Sequence, residues 1–138
     1  MSTVFTLDGE EVTAAAGETI WQVAKRLGTT IPHLCHSEQP DYRADGNCRL
    51  CMVEVEGERA LVASCIRPPA SGMVVDTASD RAVTARSTVM ELLVADQPPR
   101  AVAHDPNSEL WRWAEVVGRT TSRFPARLTP EPDVSHPA

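Results

Sequence analysis

Residues 45–57 read DGNCRLCMVEVEG. Cys48 and Cys51 stand two residues apart, and the apolar–polar alternation of MVEVE (52–56) begins directly behind them. Alternation with a period of two marks a half-buried strand. A Cys-x-x-Cys ahead of a strand is compatible with a redox disulfide, half of a zinc site or half of an iron–sulfur site. The chain has four cysteines, Cys35, Cys48, Cys51 and Cys65, spaced C-x12-C-x2-C-x13-C. Four thiols gathered this closely call for one explanation.

Each reading makes a different demand. Structural zinc usually takes two close pairs, each in its own knuckle, whereas here one close pair is flanked by two single cysteines. His33 and His36 flank Cys35, but four thiolates already complete a tetrahedron, so both histidines read as exposed polar residues of a loop. A thioredoxin-like pair belongs at a helix N-terminus, where the dipole lowers a thiol pKa. This pair runs into a strand and leaves two cysteines unexplained. A [2Fe–2S] cluster takes four thiolates, two on each iron, and uses all four. Gly46, lacking a Cβ, would let the backbone come close to such a cluster. Zinc and disulfide remain the competing chemistries.

Composition narrows the functional classes. A formal net charge of −6 argues against nucleic-acid binding and suits a protein docking on a basic partner, or simply an acidic surface. No run of eighteen apolar residues predicts a membrane span. MSTVFTLDGEEV carries neither the basic nor the apolar region of a secretory signal, which predicts a cytoplasmic protein. In that reducing compartment structural disulfides are rare.

Outward from the cysteines, the pattern predicts an α+β unit. VFTL (4–7) and VTAA (12–15) read as hairpin strands around a DGEE turn. Thr19 followed three residues later by Gln22 is a capping-box signature. It opens a helix with Ile20, Val23, Ala24 and Leu27 on one face and Gly28 as its stop. Pro32 starts an extended approach to Cys35, and residues 36–47 are polar and turn-rich. MVEVE, RALVAS (59–64) and MVVD (73–76) are further strands. Residues 79–95 read as a helix capped by Ser79, with Val83, Val89, Met90, Leu93 and Val94 as its apolar stripe. NSELWRWAEVVG (107–118) reads as a short helix carrying Trp111 and Trp113. Seven of the 11 prolines lie from Pro98 onward, and the Pro-rich end is expected to be extended.

PHLCH, GNCRLCMVEVEG and ASCIRPPASGMVV together resemble the ferredoxin-like N-terminal domain of a large oxidoreductase family. It includes the NADH-side large subunit of respiratory complex I, the diaphorase small subunit of NAD-reducing hydrogenases, and the large subunit of NAD-dependent formate dehydrogenases. FTLDGEEVTAAAGETIWQVAKRLG and MELLVADQP are similar to the last group in particular. The resemblance covers about residues 3–125. The twelve-residue first spacer is a little longer than the complex I subunit usually shows.

The resemblance implies a β-grasp [2Fe–2S] domain over 1–78, a helical segment over 79–125 and an extended tail over 126–138. It implies one [2Fe–2S] cluster on Cys35, Cys48, Cys51 and Cys65, with Cys35 and Cys48 on one iron and Cys51 and Cys65 on the other. Gly46, Asn47, Arg49 and Leu50 are expected to surround it, supplying N–H donors and a dry side, although Arg49 reads equally as a surface charge. Implied partners are flavin/NADH diaphorase subunits and a catalytic molybdopterin subunit, with no substrate-converting site in this chain. In complex I-type relatives an Asn-His-Pro segment and three cysteines then bind a [4Fe–4S] cluster. Gln97, Ala101, His104 and Ser108 stand near those positions here, so that cluster is expected to be lost while the shape is kept, with Trp111 and Trp113 filling the space or simply packing. The chain stops before the further clusters of formate dehydrogenases, as a separate small subunit or part of a longer one would. A zinc-stabilised or apo docking scaffold is the alternative of another class.

Overall fold

The computed structural model describes residues 2–35, 37, 39, 41–42 and 45–124. The expected tail over 126–138 and the reading of His36 lie outside the described residues.

The chain opens with an antiparallel hairpin, β1 (Thr3–Leu7) and β2 (Glu10–Ala14). Its turn is only Asp8–Gly9, shorter than the four-residue DGEE turn the sequence suggested, and Glu10 and Glu11 lie within β2. Both turn residues have positive φ, 51° and 85°, as a two-residue hairpin matching strand twist requires. The Asp8 carboxylate accepts the Thr77 amide and hydroxyl, each at 2.7 Å, and so ties the hairpin to the end of the last strand.

Helix α1 (Ile20–Arg26) begins at a complete capping box between Thr19 and Gln22. It buries Ile20, Val23 and Ala24 as their spacing predicts. Leu27 does not join them: it is the C-cap and half exposed, and Trp21 is buried instead. The Trp21 indole can go inside because its Nε1–H donates to the Ile31 carbonyl at 2.9 Å.

Strands β3 (Met52–Val55), β4 (Val62–Ala63) and β5 (Val74–Asp76) complete a mixed sheet in the order β2-β1-β5-β3-β4. β1 and β5 pair in parallel, and the remaining neighbours are antiparallel. This is a small α+β arrangement with α1 packed on a sheet, its core built from Phe5, Ile20, Val23, Val53 and Val75 together with Cys51 and Cys65.

Helix α2 (Asp80–Ala95) starts where Ser79 accepts the Ala82 amide, and α3 (Glu109–Val117) ends at Gly118 in the left-handed region. They form a second core of Met90, Val94, Trp111 and Ala114. The stripe on α2 differs from the expected one. Val83 is half exposed, and Ala82 and Glu91 are buried. Glu91 can be buried because Arg119 and Arg123, from the segment after α3, reach its carboxylate at 3.4 and 2.8 Å. No apolar period could announce that. No described helix is long and apolar enough to cross a membrane.

Candidate metal centre

The four cysteines are carried by segments held in different ways. Cys51 directly precedes β3, and Cys65 follows β4 after one serine. Ser64 binds the two together: its amide and its hydroxyl both donate to the Cys51 carbonyl, at 3.2 and 2.7 Å. The segment beyond is docked on the first turn of α1, where the Ile20 amide donates to Arg67 and the Trp21 amide to Ser64, at 2.9 and 3.0 Å. Those amides have no partner inside a helix. Capping them with the Cys65 loop seats both thiols in the sheet core, where Cys51 and Cys65 are buried.

Cys35 and Cys48 are half-buried, and the described residues of the stretch that carries them form no helix or strand. Here the backbone curls around sulfur instead. Arg49 takes a left-handed φ of 57°, rare for a residue with a Cβ. It turns the Leu50 amide back to donate to Cys48 Sγ at 3.4 Å. The amides of Cys35 and Leu34 also face that sulfur. The Tyr42 hydroxyl donates to the Cys35 carbonyl.

All four cysteines are free thiols, and they form two couples. The Cys65 thiol donates to Cys51; this, aided by the Cys65 amide and the Ser64 hydroxyl, pushes the Cys51 pKa down to about 6. The same bond holds the proton on Cys65, whose pKa is driven up further by burial and by the charges of Cys51, Cys35 and Cys48. Cys48 is raised chiefly by burial and is hydrogen-bonded to the Cys35 thiol. Because the charges of Cys35 and Cys48 also act on Cys65, the four thiols make up one candidate site. Among the described residues no three His, Cys, Asp or Glu side chains gather into a group for one metal ion. The donor chemistry, two thiol couples beneath backbone N–H groups, fits a [2Fe–2S] cluster, which takes two thiolates per iron and is tuned by hydrogen bonds to sulfur.

The expected surroundings divide. Leu50 is fully buried in the helical core and supplies both a donor and a dry wall. Asn47 and Arg49 are exposed, which for Arg49 matches its reading as a surface charge. Gly46 is buried with φ at 67°, but the missing Cβ points at Ile66, whose Cδ1 would be 2.8 Å away. The close approach seen here is therefore to the chain beside Cys65. Gly46→Ala should lower stability by about 1–3 kcal/mol, mostly from the left-handed backbone because Ile66 can rotate outward. A denaturant titration checks this, and an unchanged midpoint would mean that the loop does not depend on that conformation.

His33 corrects the sequence reading. It is not an exposed loop residue but half-buried, with its ring edge-on between Trp21 and Trp113. The two tryptophans lie far apart in sequence, so no local signal revealed this. Gln97, Ala101 and His104 are exposed, and Ser108 is the N-cap of α3. Trp111 packs in the helical core.

Residues 2–80 match the family model of the 2Fe-2S iron-sulfur cluster binding domain. The chain belongs to this family. Its relatives include an NADH-quinone oxidoreductase subunit of Rickettsia bellii, 36% identical over 121 residues, covering 86% of this chain and 18% of that protein. NADP-reducing hydrogenase subunit HndD of Solidesulfovibrio fructosivorans is 43% identical over 124 residues, covering 86% of this chain and 21% of the relative. The chain thus spans about a fifth of the length of these relatives. Among solved structures, a chain of an NAD+-reducing [NiFe]-hydrogenase in the H2-reduced state superposes with a TM-score of 0.75 at 34% identity, over 99% of this chain and 58% of that one.

Proposed function

We propose that this chain is a single-electron relay whose [2Fe–2S] cluster is held by Cys35 and Cys48 on one iron and by Cys51 and Cys65 on the other. The observation that carries the reading is the placement of four free thiols in two settings, Cys51 and Cys65 buried and joined through Ser64, Cys35 and Cys48 half-buried beneath the Leu50 amide. A tetrahedral zinc site would instead bring all four sulfurs to one metal. When bound, such a cluster supplies a one-electron carrier. The chain's own residues set the conditions. The Leu50 amide donates to sulfur, the Leu50 side chain and the sheet core keep water away, and Ser64 fixes the spacing between the two buried thiols. The strand order β2-β1-β5-β3-β4 with α1 across it suits the name β-grasp.

The relatives are subunits of NADH-quinone oxidoreductase and of hydrogenases. They support a place between an NADH or flavin module and a catalytic subunit of a multi-subunit oxidoreductase. A molybdopterin formate dehydrogenase as that catalytic partner rests on the sequence resemblance of FTLDGEEVTAAAGETIWQVAKRLG and MELLVADQP, and co-purification with neighbouring subunits tests it. Four free thiols suit a reducing compartment such as the cytoplasm.

Protein purified without oxygen should contain about two irons and two acid-labile sulfides per chain. It should be red-brown and give a rhombic paramagnetic signal once reduced. Bound zinc with neither iron nor sulfide would overturn the reading in favour of the docking scaffold. About six irons would show a second cluster, on the helical segment expected to have lost one.

A further inference from the structure

The family model ends at residue 80, yet one wall of the thiol site comes from beyond it. We infer that Trp113, on α3, is a positioning residue for the Cys35 thiol, acting through His33. The proposal rests on the ligand reading above and extends it to a helix outside the matched domain.

Cys35 has no strand or helix to place it. The Tyr42 hydroxyl holds its carbonyl from one side, and on the other side its position depends on side chains along the preceding residues. The Ile31 side chain is buried, and its carbonyl accepts the Trp21 indole N–H at 2.9 Å. His33 Nδ1 lies 3.3 Å from the same carbonyl. The His33 ring is held edge-on from both sides, by Trp21 at 4.7 Å and 74° and by Trp113 at 5.4 Å and 64°. Leu34 and Cys48 then pack against the helical core that also holds Leu50 and Trp111. An edge-on aromatic contact has a preferred geometry, unlike a plain apolar one. Two such contacts on one ring fix its plane, and Cys35 follows only two residues later. Trp21 anchors the ring from the sheet side and Trp113 from the helix side. Removing either frees the segment to turn about the other.

The opposite couple differs. Cys51 and Cys65 are seated by hydrogen bonds through the Ser64 amide and hydroxyl and the α1 N-terminus, none of which, among the described residues, comes from α3. Loss of Trp113 should therefore disturb one half of the site and spare the other.

The test uses the full chain carrying its cluster. Trp113→Leu keeps apolar cover but removes the ring edge, and Trp113→Phe restores an edge. Trp111→Phe perturbs the same helical core without a ring contact to His33. In Trp113→Leu the g-values of the reduced protein and its reduction potential should shift, and loss of iron to a chelator should quicken about tenfold. Trp113→Phe should return all three towards wild type, and His33→Ala should reproduce the Leu variant. After iron removal, alkylation of Cys35 should speed up in Trp113→Leu while that of Cys51 stays unchanged. The proposal is overturned if wild type carries the cluster and Trp113→Leu matches it in spectrum, potential and iron loss. It is also overturned if Trp111→Phe shifts these readouts as much, since α3 would then act only as bulk packing. Wild type that binds no cluster at all would refute the ligand reading itself.

Discussion

Cys65→Ala is expected to abolish the cluster, lowering iron and sulfide per chain at least about tenfold while the far-ultraviolet circular dichroism of the fold persists. The thiol is buried beside Cys51 and has no substitute nearby, because the four cysteines of the chain are already in the site. Its removal leaves one iron with a single thiolate. The fold should survive because Phe5, Ile20, Val23 and Val75 still pack around the gap. Cys51→Ala should behave alike. Iron content and a reduced-state signal close to wild type in either variant would remove these cysteines from the ligand set.

The second large effect lies away from the thiols. Arg119→Ala combined with Arg123→Ala should destabilise the protein by about 3–5 kcal/mol, because it leaves the Glu91 carboxylate buried without a counter-charge. Glu91 is 2% exposed. Its Oε1 finds no hydrogen-bond partner among the described residues, although Arg123 Nε is 2.8 Å away. The ion pairs with the two arginines therefore carry the compensation. The reverse change, Glu91→Leu, should cost much less, since both arginines already reach water. Chemical denaturation of the three proteins checks the asymmetry. Equal losses in both directions would mean that Glu91 matters for its packing and not for its charge. Arg119 also donates to Ser87 on α2 at 3.0 Å, so the chain after α3 is tied to that helix at two levels.

Much of this architecture could be read directly. The Thr19–Gln22 box, the alternation of residues 52–56, Ser79 and the pattern of residues 107–118 each carry their instruction within a few residues. They place α1, β3, α2 and α3 to within a residue or two. The errors fall where a side chain's fate depends on something distant. Leu27 has the right period to be buried but is the C-cap of α1 and half exposed. Val83 belongs to the stripe of α2 yet faces water, whereas Glu91 is admitted because arginines from after α3 reach it. His33 looks like loop polarity until tryptophans from two helices close on it.

The metal centre shows the same division. Four cysteines within residues 35–65, with one close pair leading into a strand, were enough to select the chemistry and to nominate the four thiols as candidate ligands, because thiolate count and identity are properties of the chain. How the thiols couple is a different matter. Backbone hydrogen bonds at the N-terminus of α1 seat Cys51 and Cys65, and an aromatic clasp spanning residues 21, 33 and 113 holds the approach to Cys35. Such contacts exist once the sheet and the helical segment have packed together, and not before. Which atoms are available to bind iron thus follows from the order of residues along the chain. Which thiol is dry, and which is held by side chains from elsewhere, follows from packing, since burial and contact over long separations depend on the whole fold and not on local spacing.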